Sequence, residues 1–193
     1  AYTTNTATSW SWTSIRNVNY FIKYNTDTNL SEELRNNYTG IARLFRAYLY
    51  YDKLVTYGAV PWIDKPLDPT DDDLYKGQDS RDVIIKNIID DLDYAAEHIS
   101  TTAITPKSNT VNKWTALALK SRICLFEGTF RKYHANGSTY GKDYLEGCTI
   151  SADELLKEAA DAAKKIMDEG PYKLHTGTTY TTGGRGAYRD LFI

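Results

Sequence analysis

The stretch from Ser31 to Pro61, SEELRNNYTGIARLFRAYLYYDKLVTYGAVP, decides the fold. Leu34, Tyr38, Ile41, Phe45 and Tyr48 recur at alternating steps of four and three, which places them on one face of an α-helix. Leu44, Tyr51 and Val55 widen that stripe. Ser31 followed by Glu32 and Glu33 is a start signal, because acidic groups favour the positive end of the helix dipole. Gly58 supplies a residue that can take a positive φ at the C-terminal end, and Pro61 forbids continuation. The pattern predicts a helix over 31–57 that buries this stripe. Asp52 falls on the stripe, so it is expected to pair with Arg43, Arg46 or Arg122, since an unpaired buried carboxylate is costly.

Four more helices follow from the same period on either side. The first spans 10–25, with Trp12, Ile15, Asn19 and Ile22 at helical spacing and a Thr-rich segment, Tyr2 to Ser9, ahead of it. The third spans 80–99, capped by Ser80 and buried through Ile85, Ile88, Ile89, Leu92, Ala95, Ala96 and Ile99. The fourth spans 110–131, with Trp114, Leu117, Ala118, Ser121, Cys124, Leu125 and Gly128 directed inward. The fifth spans 151–169; Ser151-Ala-Asp-Glu154 is a capping box, and Leu155, Leu156, Ala159, Ala163 and Ile166 form its buried stripe. No long strand alternation is present. The fold class is therefore all-α, with successive helices packed antiparallel in stacked pairs of tetratricopeptide-like type and long irregular loops between them. A strict 34-residue period is not visible. Residues 1–193 read as one helical domain that forms part of a longer protein.

Composition narrows the function. The chain has 193 residues, a net charge of −2 and 41% hydrophobic residues. That balance gives no basic excess for nucleic acid or an anionic membrane surface. No apolar run reaches the length of a membrane span. Cys124 and Cys148 are too few for a disulfide framework or a zinc site. His98, His134 and His175 are isolated from one another, and none has the spacing of a helical metal pair. Asp71-Asp72-Asp73 lacks the alternation of a calcium loop and reads as turn chemistry. Asp90, Asp91 and Asp93 read as a solvated face. No constellation for nucleophilic or acid–base catalysis stands out, and no cofactor motif is present.

What remains is aromatic content: 16 Tyr and 4 Trp against 5 Phe. Tyr and Trp combine an apolar face with a polar tip, which suits stacking on amphipathic ligands. Sugar recognition needs flat apolar faces for the C–H side of pyranose rings and planar polar groups for hydroxyls. Loops are where such residues are free of scaffold packing. The candidates are Trp62 and Tyr75 beside the Asp-rich 58–79 loop, Asn136, Tyr140 and Tyr144 in the next loop, and Tyr2 and Asn5 before the first helix. Trp10 and Trp114 are assigned to the core.

Several segments in order resemble the SusD/RagB family. They are Trp10-x4-Ile15-Arg16-x2-Asn19, the run Ala42 to Pro61 with its Arg46-Ala47-Tyr48 helix and Tyr57-Gly58-x-Val60-Pro61 turn, and Ile88-x2-Asp91-Leu92-x2-Ala95. Ala116 to Leu125, Ala159 to Leu174 and Tyr188-x-Asp190-Leu191-Phe192 complete the set. The resemblance implies a nutrient-binding lipoprotein at the cell surface of the outer membrane, lipid-anchored in the full-length parent. It implies capture of an oligosaccharide or polysaccharide and delivery to a TonB-dependent outer-membrane porin of SusC-like type, without catalysis, cofactor or nucleic acid. Neither the lipid-bearing cysteine nor the large C-terminal region of that family is in this chain. The family supplies no fixed sugar-binding motif, so the candidate residues rest on loop chemistry. The alternative is a helical-repeat scaffold that binds only protein.

Overall fold

The computed structural model describes residues 10–101, 110–135 and 145–173. Five α-helices are present among them: α1 (Thr13–Tyr24), α2 (Glu32–Tyr57), α3 (Arg81–His98), α4 (Lys113–His134) and α5 (Ala152–Glu169), with a 3₁₀ turn at Asp72–Tyr75. The described residues contain no named strand, only one antiparallel bridge between Val60 and Asp79. The local signals act where the sequence puts them. Ser31 accepts the Leu34 N–H, Ser80 accepts the Val83 N–H, and both Asn112–Thr115 and Ser151–Glu154 close capping boxes. Gly58 ends α2 at φ 77°, a region that a side chain rarely tolerates.

Cross-helix bonds show that neighbouring helices run antiparallel. Asn25 of the α1 end reaches Thr39, while Asn19 meets Arg46 further along α2. Arg46 meets Asp91 near the end of α3, while Arg81 at its start reaches the Leu54 carbonyl. Lys120 meets Asp93 and Arg131 meets Asp82, which fixes α3 against α4. Ser121 donates to the Ala159 carbonyl, and Gly128 lies against Ala152 and Leu156, which fixes α4 against α5. The packing is the antiparallel helix stack that the periodicity predicts. A Cβ on Gly128 would stand 2.9 Å from Leu156 Cγ and 3.1 Å from the Ala152 carbonyl oxygen, so α4 and α5 approach there as closely as glycine permits.

The face of α2 is a correction. Its core side is Ala42, Leu44, Arg46, Ala47, Tyr50, Lys53 and Leu54. The predicted stripe is split: Leu44 is buried and Ile41 and Tyr51 pack partly buried against the core, but Leu34, Tyr38, Phe45, Tyr48 and Val55 are all exposed, Tyr48 to 53%. Ala118 and Leu125 of α4 are exposed as well. Asp52 is exposed and makes no ion pair among the described residues. The buried carboxylate is Asp91, expected on a solvated face but only 1% exposed. It accepts Arg43 Nε at 2.7 Å and, from Arg46, Nε at 2.7 Å and Nη2 at 2.8 Å.

A second buried cluster holds the other end of the stack. Arg81 donates to Glu127 through Nε at 3.0 Å and Nη2 at 2.5 Å, and Arg131 donates to Glu127 at 3.0 Å and to Asp82 at 2.5 Å. Both clusters bring opposite charges together inside, which is how ionised groups survive burial. Cys124 is free and buried in α4, where burial pushes its thiol up to about 12, so it behaves as a small core residue.

Candidate functional site

The inward polar residues of α2 do more than neutralise charge. Arg46, Tyr50 and Lys53 succeed one another at helical spacing along one face, and each carries backbone from a segment outside the helices. Arg46 Nη1 donates to the Asp64 carbonyl at 3.2 Å and to Asn19 Oδ1 at 3.1 Å. Tyr50 Oη donates to the Ile63 carbonyl at 3.0 Å and accepts the Ile63 N–H at 2.7 Å. Burial raises the Tyr50 phenol well above its ordinary range, so it stays protonated and able to serve both bonds. Asn19 of α1 donates to the same Ile63 carbonyl at 2.8 Å. Lys53 Nζ donates to the Ser11 carbonyl at 2.8 Å.

The 58–79 connection, with its three prolines, is therefore fixed at its base. Its neck is closed by Asp79, whose N–H reaches the Val60 carbonyl at 3.1 Å and whose carboxylate accepts the Trp62 N–H at 2.7 Å. Its tip is closed by Lys65, paired at 2.9 Å with both Asp71 and Asp73. Asp71 also accepts the Asp68 N–H, which is the turn chemistry expected of the aspartate run.

Between this loop and the N-terminal turn of α1 lies a cleft of about 690 Å³. One wall is aromatic: Trp10 and Trp12, both half-buried, stand edge to face with ring centres 5.4 Å apart. The other wall is Pro61, Ile63, Leu67 and Leu74, and Arg16, Lys65, Asp68, Asp73 and Lys76 stand among the lining residues. Arg16 lies over the Tyr20 ring at 5.2 Å with a long contact to its Oη at 3.5 Å, and has no carboxylate partner among the described residues. Flat apolar faces with planar and charged hydrogen-bonding groups at their edge, in a cleft of this size, are what a small polar-rimmed ligand requires.

The structure separates the sequence candidates. Trp62 is only 8% exposed: its ring packs 4.1 Å from Tyr50, with the Arg46 guanidinium 5.5 Å above it, so it supports the loop from inside. Tyr75 is 87% exposed at the 3₁₀ turn and follows the cleft-lining Leu74. Tyr2, Asn5, Asn136, Tyr140 and Tyr144 lie outside the described residues. Trp114 is buried as expected, and Trp10, assigned to the core, packs partly buried against it while also lining the cleft. Trp12 and Arg16, which the sequence places on the first helix and, for Arg16, in the resemblance motif, line the cleft as well. The signal available for them was Trp10-Ser11-Trp12 at a helix start, where side chains ahead of the first turn escape the core face.

No protein-family model matches the sequence, and no curated protein matches it in a sequence comparison. Solved structures do match. A SusD-like protein from Bacteroides fragilis superposes with a TM-score of 0.64 at 22% identity, covering 86% of this chain and 27% of its own. A laminarin-binding SusD-like protein gives 0.56 at 21% identity, over 66% of this chain and 28% of its own. A structure described as containing a xylogluco-oligosaccharide gives 0.62 at 20% identity, over 88% of this chain and 30% of its own. The fold is that of the SusD-like proteins. The chain spans less than a third of the length of the solved structures it matches.

Proposed function

We propose that this chain is the helical portion of a surface glycan-binding protein, which captures an oligosaccharide without altering it and passes it to a TonB-dependent outer-membrane porin. The observation that carries the reading is the Trp10–Trp12 wall facing a polar-rimmed cleft, in a fold whose solved examples include a laminarin-binding protein and a xylogluco-oligosaccharide complex. In this reading Trp10 and Trp12 stack on pyranose faces, Arg16 hydrogen-bonds hydroxyls, and Tyr75 contacts the ligand from outside the cleft. Lys76, held by Asp79 at 2.8 Å and by the Trp62 carbonyl, shapes the loop neck. Lys65 is held by two carboxylates and shapes the loop. Localisation follows the same proposal: a lipid-anchored parent at the cell surface. No helix of the described residues is long and apolar enough to cross a membrane.

The test is affinity-gel retardation with laminarin and xyloglucan, followed by chromatography of their oligosaccharides after long incubation with the protein. Retardation with unshortened oligosaccharides is expected. Shortened products from highly purified protein would overturn the non-catalytic part, and absence of retardation would overturn glycan capture.

A second reading, a helical scaffold that binds protein, draws on one feature: the outward side of α2, where Leu34, Tyr38, Phe45, Tyr48 and Val55 lie exposed. Exposed apolar residues gathered on one side of a helix are the kind of surface a protein partner covers. The two readings use opposite faces of α2 and are compatible.

A further inference from the structure

Lys53 is buried in α2, where a hydrocarbon side chain would fill the space among aromatic rings without the cost of desolvating an amine. Its ammonium donates to the Ser11 carbonyl at 2.8 Å and lies 4.5 Å from the ring centre of Trp12, 5.6 Å from Trp10 and 6.0 Å from Tyr57. Those rings are already in contact: Trp10 meets Tyr57 at 4.8 Å, and Trp12 meets Tyr50 at 6.1 Å. Ser11 and Trp12 precede α1, and Trp12 at its N-cap makes no side-chain capping bond. The start of α1 offers the segment bearing the aromatic wall a long Thr13 N–H to Ser11 Oγ bond at 3.5 Å, so the shorter Lys53 bond from α2 holds it from below.

We propose that Lys53 is the positioning residue of the aromatic wall: its ammonium, bonded to the carbonyl between Trp10 and Trp12 and drawn to their ring faces, sets the angle the two indoles present to the cleft. The role rests on reading the cleft as the ligand site. What the charge adds over a hydrocarbon is direction. A cation is attracted to the ring face and not to the edge, and the effect strengthens when water is excluded. The bond to one carbonyl then fixes which turn of backbone the rings descend from. Burial pulls the Lys53 amine below its ordinary pKa, with the neighbouring Asp52 acting in the opposite sense, so the site bears a cost that simple packing would avoid. Arg46 and Tyr50 hold the opposite wall from the same helix face, which makes α2 the common foundation of both. Indoles fixed in advance lose less freedom on binding, and that is where the affinity gain arises.

The test uses the full chain labelled with 5-fluorotryptophan, its four fluorine signals assigned by single Trp→Phe variants. In Lys53→Met, the Trp10 and Trp12 signals should move towards the free amino-acid position while Trp62 and Trp114 stay in place. Lys53→Arg should keep all four. Affinity for laminarihexaose or a xyloglucan oligosaccharide should fall about tenfold in Lys53→Met and be largely restored in Lys53→Arg. Unmoved Trp10 and Trp12 signals in folded Lys53→Met, or moved signals with undiminished affinity, would overturn the assignment. If all four signals collapse in Lys53→Met, the wild type decides. There the Lys53 Hε protons should be shifted upfield by ring currents, with through-space contacts to both indoles, and random-coil shifts would overturn it. If the wild type binds neither sugar, the glycan reading fails by itself, and the fluorine and lysine signals still decide whether Lys53 sets the wall.

Discussion

Asp91→Asn is the substitution that tests the architecture hardest. The carboxylate is 1% exposed and accepts three charge-assisted bonds from two arginines, of which Arg46 is itself 5% exposed. The amide keeps the volume, removes the charge and turns one acceptor oxygen into a donor facing guanidinium N–H groups. Breaking a buried pair by removing one partner costs about 3–5 kcal/mol, because the remaining charge stays buried without compensation. For a chain of this size each kcal/mol lowers Tm by roughly 2–4 °C, so the variant should melt on the order of 10 °C earlier. Arg46 also carries the Asp64 carbonyl and Asn19, so the base of the cleft loosens together with the stack. Asp52→Ala is the control: an exposed carboxylate whose loss should stay within about 0.5 kcal/mol. Both are measured by urea unfolding followed by circular dichroism. A loss below about 1 kcal/mol for Asp91→Asn, or one above about 2 kcal/mol for Asp52→Ala, would refute this assignment of buried and solvated charge.

Further outcomes follow from the same geometry. Gly128→Ala should destabilise by about 1–3 kcal/mol in urea unfolding, since overpacking against Leu156 and the Ala152 carbonyl outweighs the gain in helix propensity. Tyr48→Lys on the outward face of α2 should leave stability within about 0.5 kcal/mol, as thermal unfolding would show, whereas the same change at a core tyrosine is disruptive. Asp82 supplies a pH signature. Burial pushes its carboxyl up, but the Thr149 and Ile150 N–H groups, Arg131 and the Thr149 hydroxyl outweigh that and hold it below the ordinary carboxylate range. A depressed folded pKa means that the unfolded chain takes up the proton first as pH falls. Its stabilisation is thus complete above about pH 5 and lost as pH drops through the folded value. The stability gap between wild type and Asp82→Asn should be widest near neutrality and close in acid, read from urea midpoints across pH.

The number and order of the five helices and the starts at Ser31, Ser80 and Ser151 were legible because those signals are local, each cap acting within three residues of itself. The start of α4 was not: the Asn112 capping box sets it at Lys113 rather than 110, and α1 begins at Thr13 rather than 10, without a side-chain cap. The stripe of α5 was largely legible, since its inward residues are apolar and its charges are outside; Ala162 is the buried alanine where Ala163 was expected. The inward face of α2 was not. It contains Arg43, Arg46 and Lys53, which weigh against burial in any periodic reading, and the residues that neutralise or shelter them lie on other elements. Asp91 sits on α3, and Ser11 and Trp12 precede α1. The apolar stripe on the opposite side, evenly spaced and aromatic, then carried the assignment. α4 repeats the case with Lys120, Glu127 and Arg131 inside and Leu125 outside. The cleft was half legible. The long proline-rich loop marked one wall, but Trp62 turned inward because Tyr50 and Asp79 anchor the backbone on either side of it. The second wall, Trp10 and Trp12, becomes visible only once α2 is seen to hold the loop and the N-terminal turn side by side.

Isothermal titration of laminarihexaose and a xyloglucan oligosaccharide into the wild type and into Trp12→Ala tests the central claim most directly. The wild type should bind one of them with a Kd in the micromolar to millimolar range, about −8 to −4 kcal/mol, weak enough for release to a transporter. Trp12→Ala should lose at least about fivefold in affinity through the missing stacking face while retaining a cooperative melt. Binding that is undiminished in folded Trp12→Ala, or absent for both sugars in the wild type, would contradict glycan capture at this cleft.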